Sequence, residues 1–339
     1  MATAVRIGIL GGGNWTRTVH LPNLARIPTA EVVAVSTSDP ERRERLRAAW
    51  AQPVAVCETP DEVLVRDDLD AVIVCTPNDT HETLSLAALR SGRHVLCEKP
   101  ASLTTAGVDR IARAVAETGR VFQVDLELGY SDVVTAMRRE IAAGHIGEPR
   151  LLSCLLLRDW GAFRGWRGDP ARSGGMFLEL GIHYLDLFNL LAGGHPVLVT
   201  AAGGHASGAN LPDYLSATVT YDNGAVGQLG LTVLAAARNE IRLQVIGTEA
   251  RLDGEIISGR LELWRRRTST PENLSPPRAS DYRFDGFPGS QEALAGWVDC
   301  IVQGGSPLAG LAAARAATAV SAAAEAALRH GGAARVDSV

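Results

Sequence analysis

The sequence predicts a two-domain α/β protein, in which a doubly wound parallel sheet precedes a domain built on an open, mostly antiparallel sheet. Short apolar runs alternate with helix-start signals over the first 125 residues, and long strand-like runs follow one another after about residue 150. The length of 339 residues also suits two domains of ordinary size. We therefore predict a first domain over residues 1–125 and a second over residues 126–339.

The first domain is predicted from five apolar runs, each short enough to be a buried strand of a parallel sheet. Asp39 and Thr59 each precede a proline and an acidic residue, the pattern of a capped first helical turn. A further helix follows Thr104 and is expected to end at Gly119. Ligands of such sheets bind beyond the carboxyl ends of the strands. The predicted strands are Val5–Leu10, Glu31–Val35, Ala71–Cys75, His94–Cys97 and Val121–Val124.

The second domain is predicted from longer strand-like runs, with helices expected to cover one face of the sheet. Asn223-Gly224 lies between two of the runs and predicts a hairpin with a type I′ turn. The stretch from Thr268 to Pro288 is expected to be a surface excursion, and the Ala-rich stretch from Leu308 to Leu328 a packed helix. The predicted strands are Leu151–Leu157, Pro196–Ala202, Leu215–Tyr221, Ala225–Leu234 and Ile241–Ile246.

Charge, hydropathy and cysteine usage narrow the classes of partner. The net charge is −5 and the longest basic run is Arg265–Arg267, which argues against a nucleic-acid partner. No signal peptide is expected, and no apolar stretch approaches the roughly 18 residues that span a bilayer. The five cysteines lack any Cys-x-x-Cys pair, so neither a disulfide framework nor a metal site is predicted. These features predict a cytoplasmic protein without a membrane partner.

The basic residues are distributed very unevenly between arginine and lysine. Of 33 basic residues, 32 are Arg and one is Lys, at position 99. Arg cannot replace Lys where a compact ammonium with a tunable pKa is needed. We therefore expect Lys99 to be functional.

A glycine-rich segment follows the first predicted strand and precedes a helix. Gly11 and Gly13 match the first two glycines of Gly-x-Gly-x-x-Gly, and Thr16 takes the place of the third. The first glycine permits a tight turn, and the second lets a pyrophosphate approach the backbone at a helix N-terminus. With Asn14 and Trp15, this segment predicts a Rossmann dinucleotide site. Thr16 is expected to loosen the close packing of helix on strand.

The end of the second strand bears on the choice between NAD and NADP. An acidic residue there normally binds the adenosine ribose hydroxyls, whereas this chain has Ser36, Thr37 and Ser38. Hydroxyls do not repel a 2′-phosphate, and Arg42 or Arg43 one turn later offers it a cation. We interpret Asp39 as a helix cap, so the sequence slightly favours NADP over NAD.

Several ordered motifs then give a resemblance to a known family. Thr76-Pro77-Asn78 with His81 follows one strand, and Glu98-Lys99-Pro100 follows the next. The second half adds Trp166-Arg167-Gly168-Asp169-Pro170, Ser173–Gly175, Glu179–Asp186 and Ile246–Leu252. Together these motifs resemble the glucose–fructose oxidoreductase, inositol dehydrogenase and rhizopine-catabolism (Gfo/Idh/MocA) family over essentially the whole chain.

The resemblance implies roles for individual residues. It makes Lys99 the catalytic lysine, places a cis peptide bond before Pro100, and makes His183 the acid/base residue. It implies that Lys99, His183, Asp186 and Glu127 bind substrate, although Asp186 is equally well read as a helix-surface carboxylate. The residues that it implies to line the cofactor, beyond the glycine-rich segment and the second strand, are Thr76, Pro77, Asn78, His81, Glu98, Lys99, Trp166 and Arg167.

This chain departs from the family pattern at three places. Glu179 stands where the family has its catalytic Asp, four residues before His183 and so predicted on the same helical face. Met176 replaces the third glycine of a Gly-Gly-Gly run and is expected to crowd that turn. The stretch from Asp125 to Tyr130 lacks the aromatic and Arg that the family usually shows after its last first-domain strand. These departures prevent the substrate from being transferred from any relative.

The resemblance implies an NAD(P)-dependent oxidoreductase that moves hydride between nicotinamide and a secondary alcohol or ketone of a sugar or cyclitol. Two alternatives stay open at this stage: a redox-neutral glycosidase or epimerase that retains its NAD, and a non-catalytic dinucleotide-binding regulator. The broad open sheet predicts a homodimer or homotetramer, because such a face needs covering.

Overall fold

A computed structural model describes residues 4–49, 54–236, 239–277 and 287–337. The chain divides into two compact units. The first takes in the described residues up to 127 together with 287–314, and the second takes in 128–277 and 315–337. The predicted boundary at residue 125 is therefore close to the structural one, but the second predicted domain included a segment that belongs to the first unit.

The first unit is built on a sheet of six described strands, in the order β3-β2-β1-β4-β5-β6. Every neighbouring pair is parallel, and the order is that of a Rossmann sheet. The five predicted strands are confirmed, while β3 was missed because it has three half-buried residues and no long apolar run. The strands are β1 Val5–Leu10, β2 Ala30–Ser36, β3 Ala55–Cys57, β4 Ala71–Val74, β5 His94–Cys97 and β6 Phe122–Val124.

Three helices of the first unit begin at the predicted caps. The Asp39 carboxylate accepts hydrogen bonds from the backbone N–H groups of Glu41 and Arg42. The hydroxyls of Thr59 and Thr104 do the same for the next two capped helices, and Gly119 ends the last of these at a φ of 65°. The helices are α1 Leu21–Leu24, α2 Pro40–Ala49, α3 Pro60–Leu64, α4 His81–Arg90 and α5 Thr105–Thr118.

A helix near the C-terminal end of the chain completes the core of the first unit. Leu294, Trp297 and Val298 of Ser290–Gln303 are fully buried against strand residues such as Ile9 and Ile73. Trp297 is among the largest fully buried side chains described. This packing between distant parts of the sequence explains why assigning all of 126–339 to the second domain was wrong.

The second unit is built on a sheet of nine described strands, in the order β14-β13-β12-β11-β7-β10-β9-β8-β15. Its pairs are antiparallel except for β7 with β10, so the prediction of a mostly antiparallel sheet is confirmed. The five predicted strands correspond to β7–β11. All nine are β7 Pro149–Leu157, β8 Pro196–Gly204, β9 Tyr214–Tyr221, β10 Val226–Thr232, β11 Glu240–Gly247, β12 Ala250–Glu255, β13 Arg260–Arg265, β14 Glu272–Asn273 and β15 Ala333–Arg335.

The hairpin at Asn223-Gly224 joins β9 to β10 as predicted, but its turn type was wrong. A type I′ turn needs a positive φ at both central residues, and here Gly224 has one, at 81°, while Asn223 does not. The Gly224 N–H donates to the Tyr221 carbonyl oxygen, and Ala225 N–H donates to the Asn223 side chain. The Asn223 side-chain bonds therefore favour an ordinary turn that ends in a left-handed glycine.

Helices cover one face of the second sheet. Burial alternates along β9, and the inward side chains join a core that contains Phe177, Tyr184 and Phe188. The other face carries exposed apolar side chains, among them Leu155, Leu198 and Tyr214, as expected for an open sheet. The helices of this unit are α6 Asp132–Ala142, α7 Pro170–Ser173, α8 Ile182–Leu191 and most of α10 Leu311–His330; Ser290–Gln303 in the first unit is α9.

The Ala-rich helix α10 is predicted at Leu308–Leu328 and observed at Leu311–His330. Among the described residues it is the one helix long and apolar enough to cross a membrane, with a mean hydropathy of 1.2. However, 56% of that window is buried within the protein, as in a packed core helix. The predicted surface excursion holds the exposed strand β14, and its residues 278–286 lie outside the described part of the chain.

Candidate active site

The glycine-rich turn has the geometry of a dinucleotide cradle. Gly11 has a φ of 108°, and a Cβ there would lie 2.3 Å from the Cys75 carbonyl oxygen. The N–H groups of Gly11 and Gly12 both donate to the Ser36 carbonyl oxygen, which fixes the turn against β2. A Cβ on Gly13 would meet nothing within 4 Å. The Gly13 backbone is therefore open to a ligand, as the pyrophosphate of a dinucleotide requires.

Thr16 does not loosen the packing of this turn, contrary to expectation. Its side chain is fully buried, and its hydroxyl donates a hydrogen bond of 2.5 Å to the Gly11 carbonyl oxygen. It begins a π-helical turn, Thr16–His20, that leads into α1. The usual glycine at this position only lets the helix pack closely on the strand. Here the Thr16 hydroxyl adds a hydrogen bond across the turn.

A cleft of about 550 Å³ lies between the glycine-rich turn and α2. Asp39 caps α2 and pairs with Arg42, whose Nε lies 3.0 Å from the Asp39 carboxylate. The cap interpretation is therefore confirmed. Three guanidinium groups contribute to the cleft, so its charge suits an anion. Its lining residues are Gly12, Gly13, Asn14, Arg17, Leu21, Arg42, Arg45 and Leu46.

The segment after β4 is fixed by the ring of His81. One ring nitrogen lies 2.8 Å from the Thr76 carbonyl oxygen, and the other lies 2.8 Å from that of Pro100. The ring is buried, and burial lowers the pKa of His81. His81 therefore joins the segment after β4 to the segment after β5. Asn78 is buried beside it, and the Thr76 hydroxyl accepts a hydrogen bond from Thr80.

The segment after β5 carries Glu98, Lys99 and a cis bond between Lys99 and Pro100, which confirms the implied isomer. Glu98 is buried, and its Oε1 lies 2.8 Å from Nε2 of the fully buried His20. Burial raises the pKa of the Glu98 carboxyl, but the hydrogen bond and charge of His20 outweigh it and hold that pKa at about 2. Burial lowers the pKa of His20, but the hydrogen bonds and charges of Cys75 and Glu98 outweigh it. The pKa of His20 is therefore raised well above its ordinary value.

The sequence interpretation missed His20, which hydrogen-bonds to Glu98, and gave Asp125 no role beyond its place in a departure from the family pattern. Asp125 directly follows β6, and that position at the carboxyl edge was the signal that could have found it. His20, Cys75 and Glu98 also bring a ring nitrogen, a thiol and a carboxylate oxygen within 4.8 Å of one another. We assign no metal to this set, because the His20–Glu98 hydrogen bond already uses a ring nitrogen and a carboxylate oxygen.

The strand register explains why these segments gather in the first unit. Leu10 pairs with Ser36 on one side and Val74 on the other, and Val74 pairs with Cys97. The residues that follow these strand ends are therefore brought to one edge of the sheet, as predicted. Glu127 follows β6 at the same edge and is buried. The implied contacts of these residues with cofactor or substrate remain predictions.

The second unit brings three of the remaining predicted residues, Trp166, Arg167 and Glu179, together. Arg167 lies in a short 3-10 turn, Gly165–Gly168, and its guanidinium packs on the Trp166 ring at 5.4 Å. Its Nε lies 3.1 Å from Oε1 of Glu179, which is 3% exposed. The structure therefore places an Arg beside the carboxylate that stands at the family's catalytic Asp position.

Three expectations about this region need correction. Glu179 lies in a π-helical turn, Phe177–Gly181, that precedes the α-helix carrying His183, so the α-helical spacing used to place them on one face does not apply. Met176 does not crowd its turn, because its φ is −72° and its side chain is buried in the core. Asp186 is buried rather than on the helix surface, and His183 is half-buried.

A carboxyl group from α10 supports the π-helical turn. The Glu325 carboxylate accepts a 2.6 Å hydrogen bond from the N–H of Phe177, the first residue of the turn. Gly175, with a φ of 99°, leaves room for this carboxyl, since a Cβ there would lie 2.4 Å from it. Burial raises the pKa of Glu325 to about 7.

These features define the class of protein: an oxidoreductase with a Rossmann domain for a nicotinamide dinucleotide and a second, sheet-based domain. Residues 5–126 match the model of the oxidoreductase family with an NAD-binding Rossmann fold, and residues 134–253 match the GFO/IDH/MocA C-terminal domain. The chain belongs to the Gfo/Idh/MocA family.

Named relatives fall within the same class. The chain is 30% identical over 277 residues to scyllo-inositol 2-dehydrogenase (NAD(+)) of Bacillus subtilis, covering 77% of this chain and 75% of that protein. It is 33% identical over 201 residues to inositol 2-dehydrogenase of Rhizobium meliloti, covering 58% of each chain. The match therefore spans somewhat more than half of the second relative. These names favour the oxidoreductase interpretation over the redox-neutral and regulatory alternatives.

Solved structures share the fold over nearly the whole chain. An oxidoreductase domain protein from Kribbella flavida superposes with a TM-score of 0.87 at 23% identity, covering 99% of this chain and 100% of that one. A levoglucosan dehydrogenase in complex with NADH gives the same TM-score and coverage at 20% identity. At these identities the likeness concerns the fold.

Proposed function

We propose that this protein is an NAD(P)-dependent dehydrogenase or reductase of a ring secondary alcohol, or its ketone, on a sugar or cyclitol. The observation that carries the proposal is the chain's sole lysine, Lys99, which lies at the carboxyl edge of the Rossmann sheet between a buried Glu98 and a cis proline. The names of the relatives, which are inositol dehydrogenases, support the substrate class.

Each of three residues has a distinct task in the proposed reaction. The Lys99 ammonium stabilises the negative charge that develops on the reacting oxygen. His183 takes the hydroxyl proton in oxidation and returns it in reduction, for which an imidazole is suited near neutral pH. Glu179, paired with Arg167, orients or tunes this chemistry. The nicotinamide, when bound, accepts or supplies the hydride.

We further propose that the cofactor is NADP rather than NAD. Ser36, Thr37 and Ser38 offer no carboxylate to the ribose, and Asp39 is occupied by the α2 cap and Arg42. The cleft beside them is lined by Arg17, Arg42 and Arg45, which suit a 2′-phosphate. The substitution of Arg45 by Gln should weaken NADPH binding several-fold more than NADH binding. Equal or tighter binding of NADH by the unaltered protein would overturn this preference.

Two further proposals concern the cellular state of the protein. The five cysteines are free thiols, which suits a cytoplasmic location. The exposed apolar residues on the open face of the second sheet, among them Leu198 and Tyr214, support a homodimer or homotetramer. Light scattering on the purified protein at several concentrations tests the assembly, and a monomer throughout would contradict it.

The test of function begins with the release of any retained dinucleotide by heat, followed by fluorescence titrations with NADH and NADPH. Saturable binding is expected, and cofactor absorbance should then change when NAD(P)⁺ and candidate polyols such as myo-inositol or scyllo-inositol are added. A retained dinucleotide with substrate conversion but no net absorbance change would support the redox-neutral alternative. No binding of either cofactor would contradict the proposal.

A further inference from the structure

Asp125 is a buried carboxyl group at the carboxyl edge of the Rossmann sheet, in the stretch where the sequence departs from its family's pattern. It directly follows β6, and its N–H donates a 2.7 Å hydrogen bond to the carbonyl oxygen of Cys97, the last residue of β5. Since Glu98 follows Cys97, the two strand ends bring Asp125 and Glu98 side by side. Both side chains are buried.

Glu98 is contacted from two directions. His20 approaches one carboxylate oxygen through Nε2 at 2.8 Å. From the other side, the bond between the Asp125 N–H and the Cys97 carbonyl oxygen brings the buried Asp125 carboxyl close to the same carboxylate, whose charge raises the pKa of Asp125. Two carboxylates in contact cannot share a hydrogen bond unless one of them carries a proton. The hydrogen bond and charge of His20, with the charge of Lys99, lower the pKa of Glu98, so Asp125 is the better placed of the two carboxyls to carry a proton.

The surroundings of Asp125 favour its neutral form. Burial raises the pKa of the Asp125 carboxyl well above its ordinary value, and the charges of Glu98 and Glu127 raise it further, while His20 opposes them. Among the described residues, Oδ1 of Asp125 is buried and has no hydrogen-bond partner. An ionised carboxylate with an unpartnered buried oxygen costs more than a protonated acid in the same place, because the neutral group loses less hydration on burial.

We propose that Asp125 is a positioning residue that donates a hydrogen bond to Glu98 and, together with His20, fixes the backbone from which Lys99 projects. This inference rests on the proposed function of Lys99. The chain His20–Glu98–Asp125 holds the residue before Lys99 through its side chain, and the Glu98 N–H is bonded to the Val74 carbonyl oxygen. On the other side of Lys99, the Pro100 carbonyl oxygen is held by His81.

The comparison of Asp125→Asn with Asp125→Ala tests the proposal. An Asn amide has nearly the shape of a protonated Asp and donates a hydrogen bond in its place, whereas Ala donates none. The Asn variant should therefore keep kcat within about threefold of the unaltered protein with myo-inositol or scyllo-inositol, whichever is turned over. The Ala variant should lose roughly 10- to 100-fold, mainly in kcat, because small displacements of a catalytic group are costly. The exposed Asp67→Asn is the matched control and should change nothing.

Two spectroscopic readouts do not depend on turnover. Infrared spectra of the holoprotein near neutral pH should contain the carbonyl band of a buried protonated carboxylic acid that is lost in Asp125→Asn. Because Lys99 is the sole lysine, labelling with ¹³C-lysine gives one side-chain resonance, which should stay in place in the Asn variant and shift in the Ala variant. A purely structural role would leave that resonance unmoved in any variant that still folds.

The outcomes separate this inference from the proposed function. If the Asn variant loses as much activity as the Ala variant, or if no carboxylic acid band is lost on substitution, Asp125 is ionised and the inference is wrong. If the band is present but the protein binds no nicotinamide dinucleotide, the proposed function fails while the protonated Asp125 stands. If the Ala variant does not fold, the infrared band and the Asn variant still decide the case.

Discussion

Nε of Arg167 lies 3.1 Å from Oε1 of Glu179, so the carboxylate at the family's catalytic Asp position is tied to a guanidinium. The Glu179 side chain is 3% exposed, whereas that of Arg167 is 44% exposed. A buried carboxylate that loses a neighbouring cation loses part of the compensation for its charge, while a half-exposed cation that loses its partner is solvated by water. The loss of Arg167 should therefore destabilise the folded protein more than the loss of Glu179 does.

The first prediction follows from this asymmetry. Arg167→Gln should destabilise the protein more than Glu179→Gln does, because only the former leaves a charge buried. The double variant should be more stable than the sum of the single effects suggests, with a coupling on the order of 1 kcal/mol. Denaturant unfolding of the unaltered protein, the two single variants and the double variant measures this coupling. Strict additivity would show that the contact makes no energetic contribution.

The second prediction contrasts two glycines of the cofactor turn. Gly11→Ala forces a Cβ to 2.3 Å from the Cys75 carbonyl oxygen at a φ of 108°, so it should lower the unfolding temperature markedly. Gly13→Ala meets no protein atom within 4 Å and should leave that temperature nearly unchanged. It should nevertheless weaken NADH binding by about tenfold or more, because the methyl occupies the approach of the pyrophosphate. Normal affinity in Gly13→Ala would mean that the pyrophosphate binds elsewhere.

The third prediction concerns the sole lysine. Lys99→Met should lower kcat by roughly 10²- to 10⁴-fold by removing the charge opposite the developing oxyanion. Lys99→Arg should not restore turnover, although this chain uses Arg at every other basic position, because the planar guanidinium differs in shape and size. NADH affinity should change little in either variant. Arg113→Met, on the surface of α5, is the control. Turnover at the level of the unaltered protein in Lys99→Met would show that Lys99 does not stabilise the oxyanion.

The sequence predicted the strands well because parallel and half-buried strands leave direct apolar patterns. Val5–Leu10 and His94–Cys97 have the predicted bounds, and the helix that begins after Thr104 ends before Gly119 as its caps indicate. The cis bond before Pro100 came from the family resemblance rather than from any local pattern. Local chemistry and family motifs therefore accounted for most of the candidate site.

What the sequence did not show depends on contacts between distant residues. Trp297 joins the core of the first unit from nearly 300 residues along the chain, and no local pattern indicates which sheet a helix will cover. The bond between His20 and Glu98 likewise spans 78 positions. The π-helical turn at Phe177–Gly181 changes the spacing from Glu179 to His183 and has no recognised sequence signature.

The last prediction is a pH dependence that arises at Glu325. Its pKa is about 7 in the folded protein against an ordinary value of 4.5, so the folded state holds the proton more tightly than the unfolded state. This carboxyl's contribution to stability is full below about pH 4.5, declines as the pH rises to about 7, and is then lost. The total loss is up to about 3 kcal/mol.

Glu325→Gln keeps an acceptor for the Phe177 N–H but cannot ionise. Relative to the unaltered protein, it should therefore gain stability as the pH is raised from 5 to 8, by on the order of 1 to 3 kcal/mol. Denaturant midpoints at the two pH values measure the change, with the exposed Glu249→Gln as the control. Glu325 supports the turn that carries Glu179. If kcat of the unaltered protein falls between pH 5 and pH 8, it should therefore fall less in Glu325→Gln. Parallel pH curves for Glu325→Gln and the unaltered protein would show that Glu325 titrates normally and that the turn does not depend on its proton.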